Sequence, residues 1–232
     1  MNEKQIRKFN EEMARKYGPH KYHSTKNIFI KFAESVKRKK IIKKLKNNQQ
    51  NCLLLDVGCG AGDILDSLPV RNKIGIDYSF YLLSIAKKRS YKFPILQSNA
   101  EKLPFKDNQF NCILLMDVLE HVANPKKILN EIYRISAKDS MFILNIPNDN
   151  LINKCKKIIK KLNLHKYFVT EYHLEENNGK NANINMDWHL HHFTKNDIVK
   201  LISPKWHIIE NHSIPSKIAE FQMLFFLSPK KK

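Results

Sequence analysis

The residues of this chain best suited to chemistry stand in one short stretch, Asp56-Val57-Gly58-Cys59-Gly60-Ala61-Gly62. An apolar run, Cys52 to Leu55, precedes the glycines, and Ile64, Leu65 and Leu68 return after them at helical spacing. Strand, glycine turn, helix is the opening of a nucleotide-binding α/β unit. Glycines there let the backbone come close to a ligand that a Cβ would hold away. A dinucleotide fingerprint wants its third glycine at position 63, where pyrophosphate meets the helix start. Position 63 is Asp63 and the third glycine is Gly62. Acids in and beside the turn repel pyrophosphate and suit a ligand that carries an ammonium group. Asp77 lies 21 residues after Asp56, at the end of Lys73-Ile74-Gly75-Ile76. An acid at that strand end can accept both hydroxyls of a ribose. Farther along, His121 and the group His189, His191 and His192 are candidates to take a proton from a reacting group.

Such residues need strand ends to hold them, and the apolar pattern supplies these. Strands are predicted at 52–55, 73–77, 93–97, 110–116 and 141–146, with the mostly apolar fourth at the centre. Ser79 caps a helix running to Arg89, and Asn124-Pro125 opens another. Residues 149–162 read as a basic amphipathic helix, and the polar stretch 163–187 as an insertion or lid. Thr194 caps a helix from Lys195 to Ile202. The last strands, 206–211 and 218–227, are linked too briefly for a crossover helix and so form an antiparallel pair. Ahead of all this, Ile6, Phe9, Met13 and Tyr17 mark a helix over 2–17, ended by Gly18-Pro19. A second helix starts near Ser24-Thr25, with Ile28, Phe29, Phe32, Val36, Ile41, Ile42 and Leu45 on its apolar face and lysines on the other. The expectation is an N-terminal helical cap (1–50) that either covers the site or closes the sheet. It precedes one domain (51–232) with a substrate or lid insertion at about 149–193. The fold class is α/β, a three-layer α/β/α Rossmann-like sandwich. Its seven-stranded, mostly parallel sheet ends in the antiparallel pair.

Charge is spread unevenly. The chain carries +19 overall, of which +11 lies in residues 1–50, +1 in 51–150 and +7 in 151–232. The basic flanks fit an anionic partner such as RNA, a phospholipid surface or a phosphorylated substrate. They fit solvated faces better, since no aromatic residues interleave the lysine runs as a stacking groove would need. Four cysteines at 52, 59, 112 and 155 make no CxxC pair, a reduced pattern that points to the cytoplasm. No apolar run approaches the roughly 18–20 residues of a membrane span. The polar N-terminal residues do not resemble a signal peptide.

Four motifs together resemble the class I S-adenosylmethionine (SAM)-dependent methyltransferases, specifically the type 11 group. These are Leu55 to Gly62, Ile76-Asp77-Tyr78-Ser79, Asn99-Ala100-Glu101-Lys102-Leu103-Pro104-Phe105, and Asp117-Val118-Leu119-Glu120-His121-Val122. The resemblance covers about residues 50–227 and implies SAM as methyl donor. It implies that Gly58, Cys59, Gly60 and Gly62 wrap the methionine part and that Asp56 favours its amino group. It assigns the ribose to Asp77, the adenine to Tyr78, Asn99 and Ala100, and closure of the pocket to Asp117. The family usually has Asp at position 99, and often a Pro-Gly-Gly turn where this chain has Ala137-Lys138-Asp139. Transfer from a sulfonium needs alignment more than acid–base work, which leaves His121 as the candidate catalytic residue. Asp117-x-x-Glu120-His121 with a downstream histidine such as His191 also resembles the metal-binding arrangement of small-RNA 2′-O-methyltransferases and quinone-biosynthesis O-methyltransferases. That likeness implies a divalent metal at Asp117, Glu120, His121 and His191. Small-molecule or lipid-precursor acceptors are the expected substrates, and metal-assisted RNA 2′-O-methylation is the alternative.

Overall fold

The computed structural model describes residues 3–17, 28–48, 52–161, 189–216 and 220–230. Five strands run parallel: β1 (Leu53–Val57), β2 (Asn72–Asp77), β3 (Ile95–Gln97), β4 (Phe110–Met116) and β5 (Ser136–Pro147). The antiparallel pair β6 (Trp206–Pro215) and β7 (Glu220–Pro229) completes the sheet, with β7 inserted between β5 and β6. The order is β3-β2-β1-β4-β5-β7-β6. The described helices are α1 (Glu3–Tyr17), α2 (Ile28–Asn48), α3 (Asp63–Ser67), α4 (Phe80–Lys88), α5 (Pro125–Ile135), α6 (Asp149–Lys161) and α7 (Lys195–Ile202).

Strand alternation sends side chains to two cores. Leu55, Ile113, Leu115, Phe142, Leu144 and Phe225 meet α5 and α7 through Ile128, Leu129, Ile132, Ile198 and Ile202. Leu54, Cys112, Leu114, Ile143 and Phe226 meet α2 and α3 through Ala33, Ile41, Leu45 and Leu65. The three-layer sandwich follows, because a sheet apolar on both faces must be covered on both. Each fully buried Leu, Ile or Phe contributes about 1.5–3 kcal/mol. The expected caps form: Ser79 accepts from the Leu82 N–H, Asn124 from the Lys127 N–H, and Thr194 makes a reciprocal capping box with Asp197.

Several boundaries differ from the sequence expectation. β1 runs on to Val57, so Asp56 is a strand residue opposite Gly75 and Leu114. No loop stands at Ala137-Lys138-Asp139: α5 passes directly into β5, and the Ser136 hydroxyl donates to the Ile132 carbonyl to close the helix. β3 is only three residues long, and Phe93 instead stacks on Tyr91. In α2 the buried face is Ala33, Lys37, Ile41 and Leu45, a spacing of four, whereas Phe32 is 58% exposed. The predicted turn at Gly18-Pro19, the start of α2 near residue 24 and the lid at 163–187 lie outside the described residues.

Candidate functional site

The parallel strands β1, β2 and β4 end on one side of the sheet, where ligands of open α/β folds bind. The glycine turn begins there. Gly58 and Cys59 donate their N–H groups to the Ile76 carbonyl at 2.8 and 2.9 Å, which ties the turn to β2. Gly60 has φ +55 and a Cβ there would find nothing nearer than Leu82 Cδ1 at 3.9 Å, so this face of the turn is open. Gly58 has φ +80 and a Cβ there would lie 2.4 Å from Val118 Cγ2. The two positions therefore separate ligand approach from packing. Gly60→Ala should keep most of the stability, losing about 1–2 kcal/mol to left-handed strain, yet lose ligand binding. Gly58→Ala should lose considerably more stability. Thermal melts with and without ligand check both.

Asp77 closes the next wall. Its Oδ2 accepts from the Gly60 N–H and its Oδ1 from the Ser79 N–H, both at 2.8 Å. Burial holds its carboxyl above the usual range, and backbone N–H donors, those of Ser79 and Gly60 first, offset only part of that rise. Two bonds leave lone pairs on both oxygens for a ligand. Asp56 stands behind the turn, 2% exposed, and its Oδ1 has no hydrogen-bond partner among the described residues. Burial, then the charge of Asp77, raises Asp56 from 3.8 to about 7. The unfolded chain ionises this carboxyl above about pH 4 and the folded chain only near 7. Asp56 therefore lowers stability as pH rises through that window, by on the order of 4 kcal/mol. In Asp56→Asn that contribution should disappear, as urea unfolding at the two ends of the window would show.

Beyond β4 the backbone turns sharply at Asp117, whose φ of +55 is left-handed. A non-glycine residue there is held by its surroundings. Asp117 Oδ1 accepts from Asn145 Nδ2 at 2.6 Å, and the Asp117 N–H donates to the Asn145 carbonyl at 3.1 Å. Asp117 Oδ2 accepts from Lys37 Nζ at 3.1 Å. Lys37 is 2% exposed and also pairs with Glu34 at 2.9 Å. This is why a lysine sits on the buried face of α2: its ammonium is spent on two carboxylates. Meanwhile α1 lies over the opening. Its Ile6, Asn10, Glu11 and Ala14 line the same cavity of about 250 Å³ as Gly58, Gly60, Asp77 and Asp117. Asn10 donates to the His121 carbonyl and Glu11 accepts from the Tyr81 N–H. The cap thus divides its work: α1 covers the site, and α2 packs on the sheet while reaching the site through Lys37.

A cluster of acids and imidazoles stands beside the cavity. Glu120 is 1% exposed, and its Oε2 has no partner among the described residues. Burial, then the charge of Asp117, pushes its carboxyl well above the usual range. The Glu120 carbonyl accepts from the Leu190 and His191 N–H groups at 2.7 and 3.2 Å, so residues 189–192 lie along this turn. His121 lines the cavity and meets the His189 ring edge-on at 4.9 Å between centroids. Both oxygens of Asp149 lie 2.8–2.9 Å from His189 Nδ1, and Oδ2 lies 3.0 Å from His192 Nδ1. Burial raises the Asp149 carboxyl, but His189 and His192 outweigh it, and the group stays below the ordinary range.

The structure brings Gly58, Gly60, Asp77, Tyr78, Asn99, Ala100, Asp117 and His121 to the cavity wall, and stands Asp56, Cys59 and Gly62 behind it. Asn99 spends its side-chain oxygen on the Glu101 N–H at 3.0 Å. The four side chains Asp117, Glu120, His121 and His191 do not converge: Asp117 is held by Asn145 and Lys37, and His191 Nε2 donates to the Val122 carbonyl at 2.9 Å. His189 takes that place, with Glu120 and His121. Sequence reasoning read α1 as a helix and left open whether it covers the site, and it missed Lys37, Asn145 and Asp149. Only Asn145, a polar residue inside the apolar run 141–146, left a signal there.

Comparison with known proteins fits this geometry. The methyltransferase-domain family model of the type 11 group matches residues 55–144. Residues 55–144 are a methyltransferase domain. An uncharacterised protein of Methanocaldococcus jannaschii is 36% identical over 133 residues, 57% of this chain and 49% of that one. A demethylmenaquinone methyltransferase of Lactobacillus johnsonii is 29% identical over 139 residues, 55% of this chain and 56% of the relative. The chain thus spans about half the length of these relatives. The magnesium protoporphyrin IX methyltransferase of Synechocystis PCC 6803, solved with bound SAH, superposes with a TM-score of 0.64 at 15% identity, covering 97% of this chain and 100% of its own. The methyltransferase domain therefore sits in a fold shared along nearly the whole chain. Among the described residues no helix is long and apolar enough to cross a membrane.

Proposed function

We propose that the protein transfers the methyl group of SAM to a small-molecule or lipid-precursor acceptor held beneath α1. One observation carries this reading: the open face of Gly60 and the carboxylate of Asp77 belong to one covered cavity. The residues fit SAM. Asp77 keeps lone pairs for the ribose hydroxyls, Tyr78, Asn99 and Ala100 flank the adenine, and the glycine turn admits the methionine part. Buried Asp56 keeps an unpartnered oxygen at that end, an acceptor for an ammonium group. SAM supplies an activated methyl on its sulfonium. The chain's own part is to orient the acceptor and keep water out, which Ile6, Ala14, Val118, Val122 and Ile128 do from around the cavity wall. His121 lines that wall, and its imidazole is the group we assign to accept an acceptor proton.

The helix α1 lying over the opening supports a small acceptor over RNA, as does the relative named for demethylmenaquinone. A second reading adds a divalent metal on the acceptor side. It is favoured by ligand atoms of Glu120, His121 and His189 lying within 4.8 Å of one another. Calorimetric titration with SAM and separately with NAD tests the donor: SAM should bind and NAD should not, and no heat at millimolar SAM would overturn the proposal. Labelled methyl transfer into small-molecule, lipid and RNA fractions then tests the acceptor. Transfer into RNA alone would reject the small-molecule reading, and loss of transfer on chelation would favour the metal.

A further inference from the structure

We infer that Asp149, His189 and His192 form a second divalent-metal site, of the kind that takes Zn²⁺, at the start of α6. Asp149 is 5% exposed and presents both oxygens to two imidazoles, with Nδ1 atoms of His189 and His192 at 2.8–3.0 Å. All three donor atoms lie within 4.8 Å of one another. Ligand atoms on one ion with bonds of about 2.0–2.2 Å stand roughly 3–3.5 Å apart, so the ion needs only small side-chain movements. One carboxylate and two imidazoles select a transition ion over Mg²⁺ or Ca²⁺, which prefer all-oxygen shells. His192 is partly exposed, its side chain at 43%, which leaves a path in from solvent and room for water as a fourth ligand.

The placement gives the ion a purpose. Asp149 opens α6, and the two histidines lie 40 and 43 residues later in the chain. An ion bound by all three would join the two ends of that long segment, where crosslinking removes the most chain entropy. Between the two ligands, Leu190 and His191 donate their backbone N–H groups to the Glu120 carbonyl, so the ion would also brace the turn that carries His121. The site is independent of the methyl-transfer reading and differs from a metal at Glu120 and His121, which shares with it only His189.

The test uses the full chain, stripped with a chelator and then titrated with Zn²⁺ by calorimetry. Native mass spectrometry counts the ions, and melting is followed in parallel. The expected result is one tightly bound ion and a melting temperature raised by several degrees, as binding to the folded state alone requires. Asp149→Asn and His192→Gln should each weaken binding at least about 100-fold (two orders of the binding constant, roughly 2.7 kcal/mol), while Glu120→Gln leaves it unchanged. His192→Gln alters a partly exposed side chain and should fold, so it stands as the deciding variant. No binding at high micromolar Zn²⁺ would overturn the inference. So would binding that His192→Gln leaves intact and Glu120→Gln abolishes, since the ion would then belong to the cavity-side group.

Discussion

Asp77→Ala is expected to weaken SAM binding at least about 100-fold. The carboxylate has one N–H donor on each oxygen, from Gly60 and Ser79, and its remaining lone pairs face the cavity. Two ribose hydroxyls bonded to a charged acceptor contribute about 1.5 kcal/mol or more each, and about 2.7 kcal/mol is already 100-fold. Loss of the Gly60 anchor also frees the glycine turn to move, which adds to the deficit. Asp77→Asn keeps one carbonyl oxygen and should lose roughly tenfold. Calorimetry with SAM and with its demethylated product measures both, and the ligand-free melting temperature reports the turn separately. An Asp77→Ala variant that binds SAM as the parent does would remove this residue from the donor site.

The second large effect is expected at Lys37. Its ammonium is buried between Asp117 and Glu34 at 3.1 and 2.9 Å. Lys37→Ala leaves those carboxylates facing one another without a cation. Breaking a buried pair in this way costs about 3–5 kcal/mol, reduced here because the Asp117 side chain is 36% exposed. Lys37→Met refills the volume but leaves the same two carboxylates without a cation, so it should recover only the packing part of that loss. Methyl transfer should fall in both variants, because Asp117 loses one of the two partners that hold its left-handed backbone. Unfolding in urea and the initial rate of transfer separate the two effects. A Lys37→Met enzyme with the parent's rate would show that Asp117 is positioned by Asn145 alone.

The glycine-turn wall of the cavity was legible in the sequence because its requirements are local. Positive φ at Gly58, Gly60 and Gly62, an acid at the end of β2 and an acid after β4 each declare themselves within a few residues. Asp56 shows the limit of that reading: its type and place were right for a charged loop, yet one more turn of strand pairing put it under the turn, opposite Gly75, where burial changes its protonation. Lysine 37 was hidden differently. Within Lys37-Arg38-Lys39-Lys40 nothing marks the first as inward, and only the arrival of Asp117, 80 residues away, pays for its burial. His189 and His191 differ by two positions in the stretch His189-Leu190-His191-His192. Their roles diverged because one meets Asp149 and the other the Val122 carbonyl.

By itself, then, the sequence determined the βα order, the two apolar faces of the sheet and the chemistry of the glycine turn, since side-chain period and backbone φ are properties of neighbouring residues. The tertiary structure decided that α1 covers the cavity, that Lys37 steadies Asp117, and that Asp149 gathers two histidines from the far end of a long segment. Those contacts join residues 40 to more than 100 positions apart. A residue's own periodicity tells which way it faces and carries no record of what it will face.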